Sequence, residues 1–265
     1  MIKNNLNYFK KLVKVLIWPI IFIIGQFFLE YIFVAYYNSK NKGSLTNSEF
    51  LKYIKTTEYK EGLNSFINSK MLIITILFFI IFLPILYFLY KKYKKESKRG
   101  YLIESISLGI SISIIFNILV YNINSIFNFT DRYEFKLPFI VILICTGVLG
   151  PILEEILYRG IVYNKLKEFN PNMRSIILCS VLFGLFHFDI IDGIYAFGVS
   201  FMFIYLYEKY NTLVAPILMH IFLNTTGIVM IKLGILDMHI ISLLLIVISV
   251  LILLIDKKYK IKEEL

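Results

Sequence analysis

The sequence predicts an all-α membrane protein, a polytopic transmembrane helix bundle of about eight spans with both termini in the cytoplasm. Of its 265 residues, 58% are hydrophobic and only 17% are charged. The mean hydropathy is +0.74, whereas soluble domains average about 45–50% apolar and about 25% charged residues. Apolar runs recur along the whole chain, and Lys and Arg are about twice as frequent on the connections that share a side with the termini.

The spans are predicted where apolar runs approach the 20 residues that a helix needs to cross the hydrocarbon layer. The first run follows a basic N-terminal segment and lacks the cleavage site of a signal peptide, so it is expected to stay in the mature chain. The predicted spans are 15–37, 71–90, 101–121, 137–164, 173–188, 193–207, 213–231 and 240–255. Residues 1–265 therefore form a single membrane domain.

The longest polar stretch, 38–70, lies between the first two spans. Thr46-Asn47-Ser48-Glu49 fits a helix capping box, and the apolar residues that follow have helical spacing. This pattern predicts an interfacial amphipathic helix in a polar loop, with a solvated linker as the alternative.

The formal net charge of +10 does not indicate a nucleic-acid partner. Lysines that collect in cytoplasmic loops explain it, and no basic groove with interleaved aromatic residues is evident. The abundance of Lys over Arg, together with frequent Ile and Asn, is typical of AT-rich bacterial genes. We therefore expect a multi-pass protein of a bacterial plasma membrane, with the lipid bilayer as its surroundings.

The fourth span contains Glu154, Glu155 and Arg159 in a run that otherwise reads as membrane-buried. One ionisable side chain at the bilayer centre costs about 3 kcal/mol, so these three need partners. Glu155 and Arg159 are four residues apart and can pair on one helix face, whereas Glu154 points about 100° away. Pro151 predicts a kink or a restart of the helix just before them. A purely structural ion network is the alternative.

Two further motifs have the same spacing of four. Phe183 precedes His187 in the fifth span, and His220 precedes Asn224 in the seventh. Each pair faces one cavity if the segment is helical. Either histidine alone could be a hydrogen-bonded core residue. Two of the three histidines in apolar spans, with a polar partner in the seventh, favour a functional site.

Together these residues offer two routes to hydrolysis. A carboxylate base and imidazole and amide donors suit the attack of water on an amide. Glu154, His187 and His220 could instead coordinate a divalent metal such as zinc, which would activate water. No His-Glu-x-x-His motif is present, and both routes remain open.

The ordered set Glu-Glu-x-x-x-Arg, Phe-x-x-x-His and His-x-x-x-Asn resembles the CPBP family over residues 137–233. This family groups CAAX prenyl endopeptidases with bacterial Abi-type proteins, some of which confer bacteriocin immunity. The resemblance implies an intramembrane protease, a hydrolase whose substrate is a peptide or membrane protein. Members are often described as metalloproteases, and a metal-free glutamate mechanism is also proposed for the fold.

The resemblance also implies roles for the individual residues. Glu154 and His187 would activate the water, His220 and Asn224 would form the oxyanion site, and Glu155, Arg159 and Phe183 would support them. Two other functions stay open at this point. One is a non-catalytic immunity or scaffold protein of the same fold, and the other is a small transporter whose carboxylates carry protons or cations.

Overall fold

The computed structural model describes residues 2–127 and 137–234 and the single positions Leu244 and Val247. Every regular element in these ranges is helical, which confirms the predicted all-α class. We number the helices α1 (Ile2–Lys42), α2 (Asn47–Tyr53), α3 (Thr57–Tyr90), α4 (Tyr101–Phe127), α5 (Phe139–Lys167), α6 (Asn172–Leu185), α7 (Ile190–Tyr210) and α8 (Val214–Lys232).

Six of the described helices are long and apolar enough to cross a membrane, namely α1, α3, α4, α5, α7 and α8. The protein is therefore a multi-pass membrane protein. The predicted fifth span corresponds to α6, whose 14 residues extend only about 21 Å, less than the hydrocarbon thickness of about 30 Å. Apart from the single positions Leu244 and Val247, the predicted eighth span lies outside the described residues. The count of eight spans and the cytoplasmic position of both termini remain predictions.

The polar stretch 38–70 folds as helix over most of its length. Helices α1 and α3 have 41 and 34 residues, about 61 and 51 Å, so both are longer than a bilayer crossing needs. The predicted capping box is present at the start of α2, where Glu49 accepts a hydrogen bond from the backbone N–H of Thr46 at 2.8 Å. Tyr59 is buried against Tyr37, Phe50 and Tyr53. Because Phe50 and Tyr53 pack against this ring, α2 is held against the start of α3.

Helix α5 lies at the centre of the bundle and contacts α1, α3, α6, α7 and α8. It runs without interruption through Pro151, because Cys145–Leu149 is π-helical and the N–H of Gly150 donates to the carbonyl of Cys145. The helix therefore does not restart at Pro151, and the two glutamates lie inside a continuous helix. A second π-helical stretch, Ile156–Tyr163, follows them. Such stretches often occur at functional sites.

Helices α4 and α8 form the most extensive contact between two helices of the described bundle. A Cβ on Gly109 would lie 2.4 Å from the carbonyl oxygen of Met219, so the two backbones touch at this point. The hydroxyl of Ser113 donates to the carbonyl of Leu223 at 2.6 Å. Helix α4 therefore fixes the position of α8, which carries His220 and Asn224.

This contact makes Gly109→Ala a test of the α4–α8 packing. The added methyl would meet backbone, which cannot yield as a flexible side chain can, so we expect a loss of about 1–3 kcal/mol in stability. Thermal unfolding in detergent measures it. The matched control is Gly198→Ala in α7, where no atom lies within 4 Å and a helical Gly→Ala change stabilises by up to about 1 kcal/mol. Equal effects of the two variants would contradict the packing described here.

Candidate active site

Glu155 and Arg159 form a fully buried ion pair on α5. Their side chains are 0% exposed, and Nη1 of Arg159 lies 3.0 Å from Oε1 of Glu155, as the spacing predicted. The other terminal nitrogen of Arg159, Nη2, donates to the hydroxyl of Ser200 on α7 at 2.8 Å. The guanidinium also lies over two aromatic rings, 4.3 Å from the centroid of Phe183 and 4.7 Å from that of Phe203. Arginine suits this place because its flat cation stacks while its N–H groups bond in the plane.

His220 of α8 is held by the same carboxylate. Its Nδ1 lies 2.9 Å from Oε1 of Glu155, and its ring stacks on Phe203 at 4.6 Å with an interplanar angle of 26°. Because an ionised carboxylate only accepts hydrogen bonds, Nδ1 must carry the proton of this contact. The opposite nitrogen, Nε2, then faces Glu154, with 3.9 Å between it and Oε2.

Glu154 differs from its neighbour in both exposure and bonding. Its side chain is 30% exposed, against 0% for Glu155. Within the described residues it makes no hydrogen bond, and 3.9 Å to His220 is too long for a direct one. A water molecule could bridge such a gap. The two adjacent carboxylates therefore have different surroundings, and only Glu154 is open to a reacting molecule.

Asn224 lies one helical turn beyond His220 on α8. Its side-chain nitrogen donates to the carbonyl of Thr146 at 2.9 Å, which fixes the amide orientation and leaves its second N–H available. The neighbouring residue of α5, Gly147, packs against Thr225 of α8. The closeness of these two helices explains why Asn224 reaches a carbonyl of α5.

His187 lies in the turn between α6 and α7 and is exposed. Its Nδ1 is 2.7 Å from the carbonyl of Phe183, and its ring packs against the Phe183 ring at 4.9 Å. The carbonyl accepts, so Nδ1 donates and Nε2 is left as an acceptor. In the described part of the chain, no hydrogen bond or ion pair joins His187 to Glu154. The structure thus joins Glu155, Arg159 and His220 by direct contacts with Glu154 beside them, whereas the contacts given for His187 are with the ring and carbonyl of Phe183.

The candidate metal ligands do not form a ligand set. Catalytic zinc sites usually have three protein ligands within about 2.0–2.3 Å of the ion. Among the described residues, no group of three His, Cys, Asp or Glu side chains is arranged to hold one ion. Glu154 and His220 lie near each other, but His187 does not join them. The residues present do not fit a three-ligand metal centre.

Two residues of α7, Ser200 and Phe203, belong to this site but were not identified from the sequence. Ser200 binds Arg159, and the ring of Phe203 contacts both that guanidinium, at 4.7 Å, and the ring of His220, at 4.6 Å. No motif marks either one, since serine and phenylalanine are frequent in apolar helices of this chain. A small polar residue in an apolar helix was the one available signal, and it is a weak one.

Ser200→Ala tests the contact between α5 and α7. The change leaves Nη2 of Arg159 without its hydroxyl partner in a fully buried place. We expect a loss of about 1.5–3 kcal/mol, as for hydrogen bonds to charged groups, measured by thermal unfolding in detergent. Ser69→Ala is the control, because Ser69 is exposed and bonds only its own helix. If Ser200→Ala unfolds at the same temperature as the parent chain, the contact does not contribute as described.

The fold and site together define a helical membrane protein in which a buried Glu–Arg–His cluster lies beside a partly exposed carboxylate. Residues 136–226 match the family model of the type II CAAX prenyl endopeptidase Rce1-like proteins. This match confirms the resemblance to the CPBP family over the segment that carries the three motifs.

A curated relative points the same way. The chain is 31% identical over 90 residues to a Bacillus subtilis (strain 168) protein named "Putative membrane peptidase YdiL". The aligned segment covers 34% of this chain and 37% of that protein, so it spans well under half of the relative. No solved structure matches the chain.

Proposed function

We propose that this protein is an intramembrane endopeptidase that hydrolyses a peptide bond with a water molecule activated by Glu154. The observation that carries the proposal is the inequality of the two adjacent glutamates. Oε1 of Glu155 contacts both Arg159 and His220, whereas Glu154 is partly exposed and lies 3.9 Å from a nitrogen of His220. The likeness to a family of membrane peptidases supports the same reaction class.

The proposed oxyanion site requires a particular protonation state. Nε2 of His220 must carry a proton as well as Nδ1, and in that state the two carboxylates and two cations of the cluster sum to zero. His220 then presents Nε2–H as a donor. Glu154 remains an anion that can accept a proton, as a general base must.

The proposed reaction starts with a water molecule bound to Glu154. Glu154 takes a proton from the water while the water oxygen attacks the carbonyl carbon of the substrate. Nε2 of His187 accepts a second hydrogen bond from the same water. The negative charge that develops on the carbonyl oxygen is stabilised by Nε2–H of His220 and the second N–H of Asn224. Glu154 then passes the proton to the departing amine, and the peptide bond breaks.

The substrate class follows from the position of the site. Because the cluster lies among membrane-spanning helices, the substrate is a peptide or membrane protein that enters from the bilayer or its surface. We assign no reaction step to a metal, since the ligand set is incomplete. Activity that a chelator abolishes and zinc restores would overturn that part of the proposal.

Reconstituted protein tests the function directly. Purified protein in liposomes is incubated with a set of membrane-embedded peptides, and mass spectrometry identifies new termini. We expect cleavage by the parent chain and its loss in His220→Ala, which removes a donor to the oxyanion. His239→Ala, the remaining histidine of the chain, is the matched control and should cleave normally. Cleavage that persists unchanged in His220→Ala would contradict the assigned site, and a parent chain that cleaves nothing would favour a non-catalytic role.

A further inference from the structure

A group of lysines from three separate segments meets at the end of the bundle where α1 begins and α5 ends. We call Lys11, Lys14, Lys92 and Lys165 the basic patch. Lys165 of α5 lies over the ring of Trp18 of α1, with 5.1 Å from Nζ to the centroid. Lys14 is one helical turn before Trp18 and lies on the same face of α1. Lys14 and Lys92 are both close enough to interact electrostatically with Lys165.

Aromatic contacts complete the edges of this patch. Lys11 lies over the ring of Phe169 at 5.6 Å, and Lys92 lies over that of Tyr93 at 4.3 Å. Tyr8 donates to Asn170 at 3.0 Å and so ties the start of α1 to the segment after α5. Three distant parts of the sequence are thus held together around one cluster of cations.

The lysines of the basic patch have fewer carboxylate partners than the neighbouring lysines do. Lys167 pairs with Glu208, and Lys209 pairs with the buried Glu104, each at 2.9 Å. Within the described residues, the basic patch has ion-pair contact with a single carboxylate, Glu168, which lies 3.3 Å from Lys92. Hydrogen bonds from Tyr93 and Lys92 lower the pKa of Glu168, so it stays an anion. Four cations against one anion leave an excess positive charge that an external anion would balance.

An exposed apolar surface begins directly beside these charges. Ile17, Ile21 and Ile24 of α1 are 41%, 44% and 60% exposed and lead away from Lys14 into the membrane-spanning part of the helix. Trp18 lies between the charged and apolar regions, as is usual for tryptophan at a membrane interface. A ligand that fits both regions carries an anionic head and apolar chains.

We propose that the basic patch binds the headgroup of an anionic phospholipid whose acyl chains lie along α1. The phosphate would lie between Lys14 and Lys165, above Trp18, and Lys11 and Lys92 would add charge from either side. Dense lysine runs are often no more than topology signals, but this set differs because it converges from three segments over an aromatic ring. The proposal is independent of the peptidase function.

The single tryptophan of the chain makes this site directly observable. Trp18 fluorescence is recorded in detergent while brominated phosphatidylglycerol, brominated phosphatidylcholine or inorganic phosphate is added. We expect saturable quenching by the anionic lipid at concentrations where the zwitterionic lipid quenches weakly. In Lys14→Gln/Lys165→Gln the affinity should fall about 30-fold, which corresponds to about 1 kcal/mol for each lysine.

Two control variants distinguish binding at the basic patch from a general attraction of the lipid to positive charge. Lys94→Gln/Lys95→Gln removes the same charge from the exposed connection between α3 and α4 and should bind as the parent does. Lys165→Arg keeps the cation and should retain most of the affinity, and thermal unfolding checks that each variant is folded. Equal quenching by both lipids, equal loss in the two double variants, or displacement of the lipid by inorganic phosphate would each overturn the proposal.

Discussion

Glu154→Gln is expected to lower peptide hydrolysis by about 10²- to 10⁴-fold while the protein stays folded. Losses of this size follow when a general base is removed. The fold should survive because Glu154 is partly exposed and makes no hydrogen bond within the described residues, so the amide replaces it without leaving a buried partner unsatisfied. Initial rates of peptide cleavage in liposomes measure the first effect, and thermal unfolding measures the second.

The matched control for this variant is Glu96→Gln, which removes the same charge from an exposed connection. It should cleave at the parent rate. Glu154→Gln should also retain bound substrate, because the site that holds the peptide is unchanged, and it can then serve as a trap. Parent-like turnover by Glu154→Gln would show that another group activates the water.

Arg159→Ala is expected to destabilise the protein by about 3–5 kcal/mol, the cost of removing one member of a buried ion pair. Among the described residues Glu155 would keep His220 as its remaining hydrogen-bond partner, and the rings of Phe183 and Phe203 would lose the cation that lies over both. The remaining contacts of Glu155 are too few to compensate for the lost guanidinium. Oε2 of Glu155 and Nε of Arg159 already lack hydrogen-bond partners among the described residues.

Unfolding temperature and folded yield in detergent measure this loss. The control is Lys167→Ala, whose pair with Glu208 is partly exposed and should contribute no more than about 1 kcal/mol. Arg159→Lys should rescue little, because an ammonium cannot stack on two rings and bond two oxygens in one plane. An abundant and stable Arg159→Ala protein without activity would instead place Arg159 in direct contact with the substrate.

Local features of this chain could be predicted because they depend on short-range spacing. Glu155 and Arg159 pair since any helix places residues four apart on one face. The capping box at Thr46 follows from the same kind of local rule. Hydropathy located the apolar helices, because a bilayer requires about 20 apolar residues whatever their packing.

Contacts between distant helices could not be predicted in the same way. Nothing in the sequence indicates that Glu155 bonds His220, or that Ser200 and Phe203 enclose Arg159, because these contacts depend on how helices rotate against one another. The π-helical stretch before Pro151 was not predicted, because a proline predicts a break, whereas here the helix continues through it. The sequence predicted His187 near the end of a fifth membrane span. Because α6 ends before this residue, His187 instead lies in a turn.

Single-turnover hydrolysis in H₂¹⁸O tests the role of Glu154 most directly. If Glu154 acts as a base on water, one ¹⁸O atom enters the new carboxyl terminus of the product and none enters Glu154. If Glu154 attacks the substrate itself, the amine leaves and a mixed anhydride forms, and water that opens this anhydride at the Glu154 carbonyl carbon places ¹⁸O in the Glu154 side chain. Mass spectrometry of the product and of the protein fragment that contains Glu154 separates the two. Label in the product alone is predicted, and label in Glu154 would contradict the account.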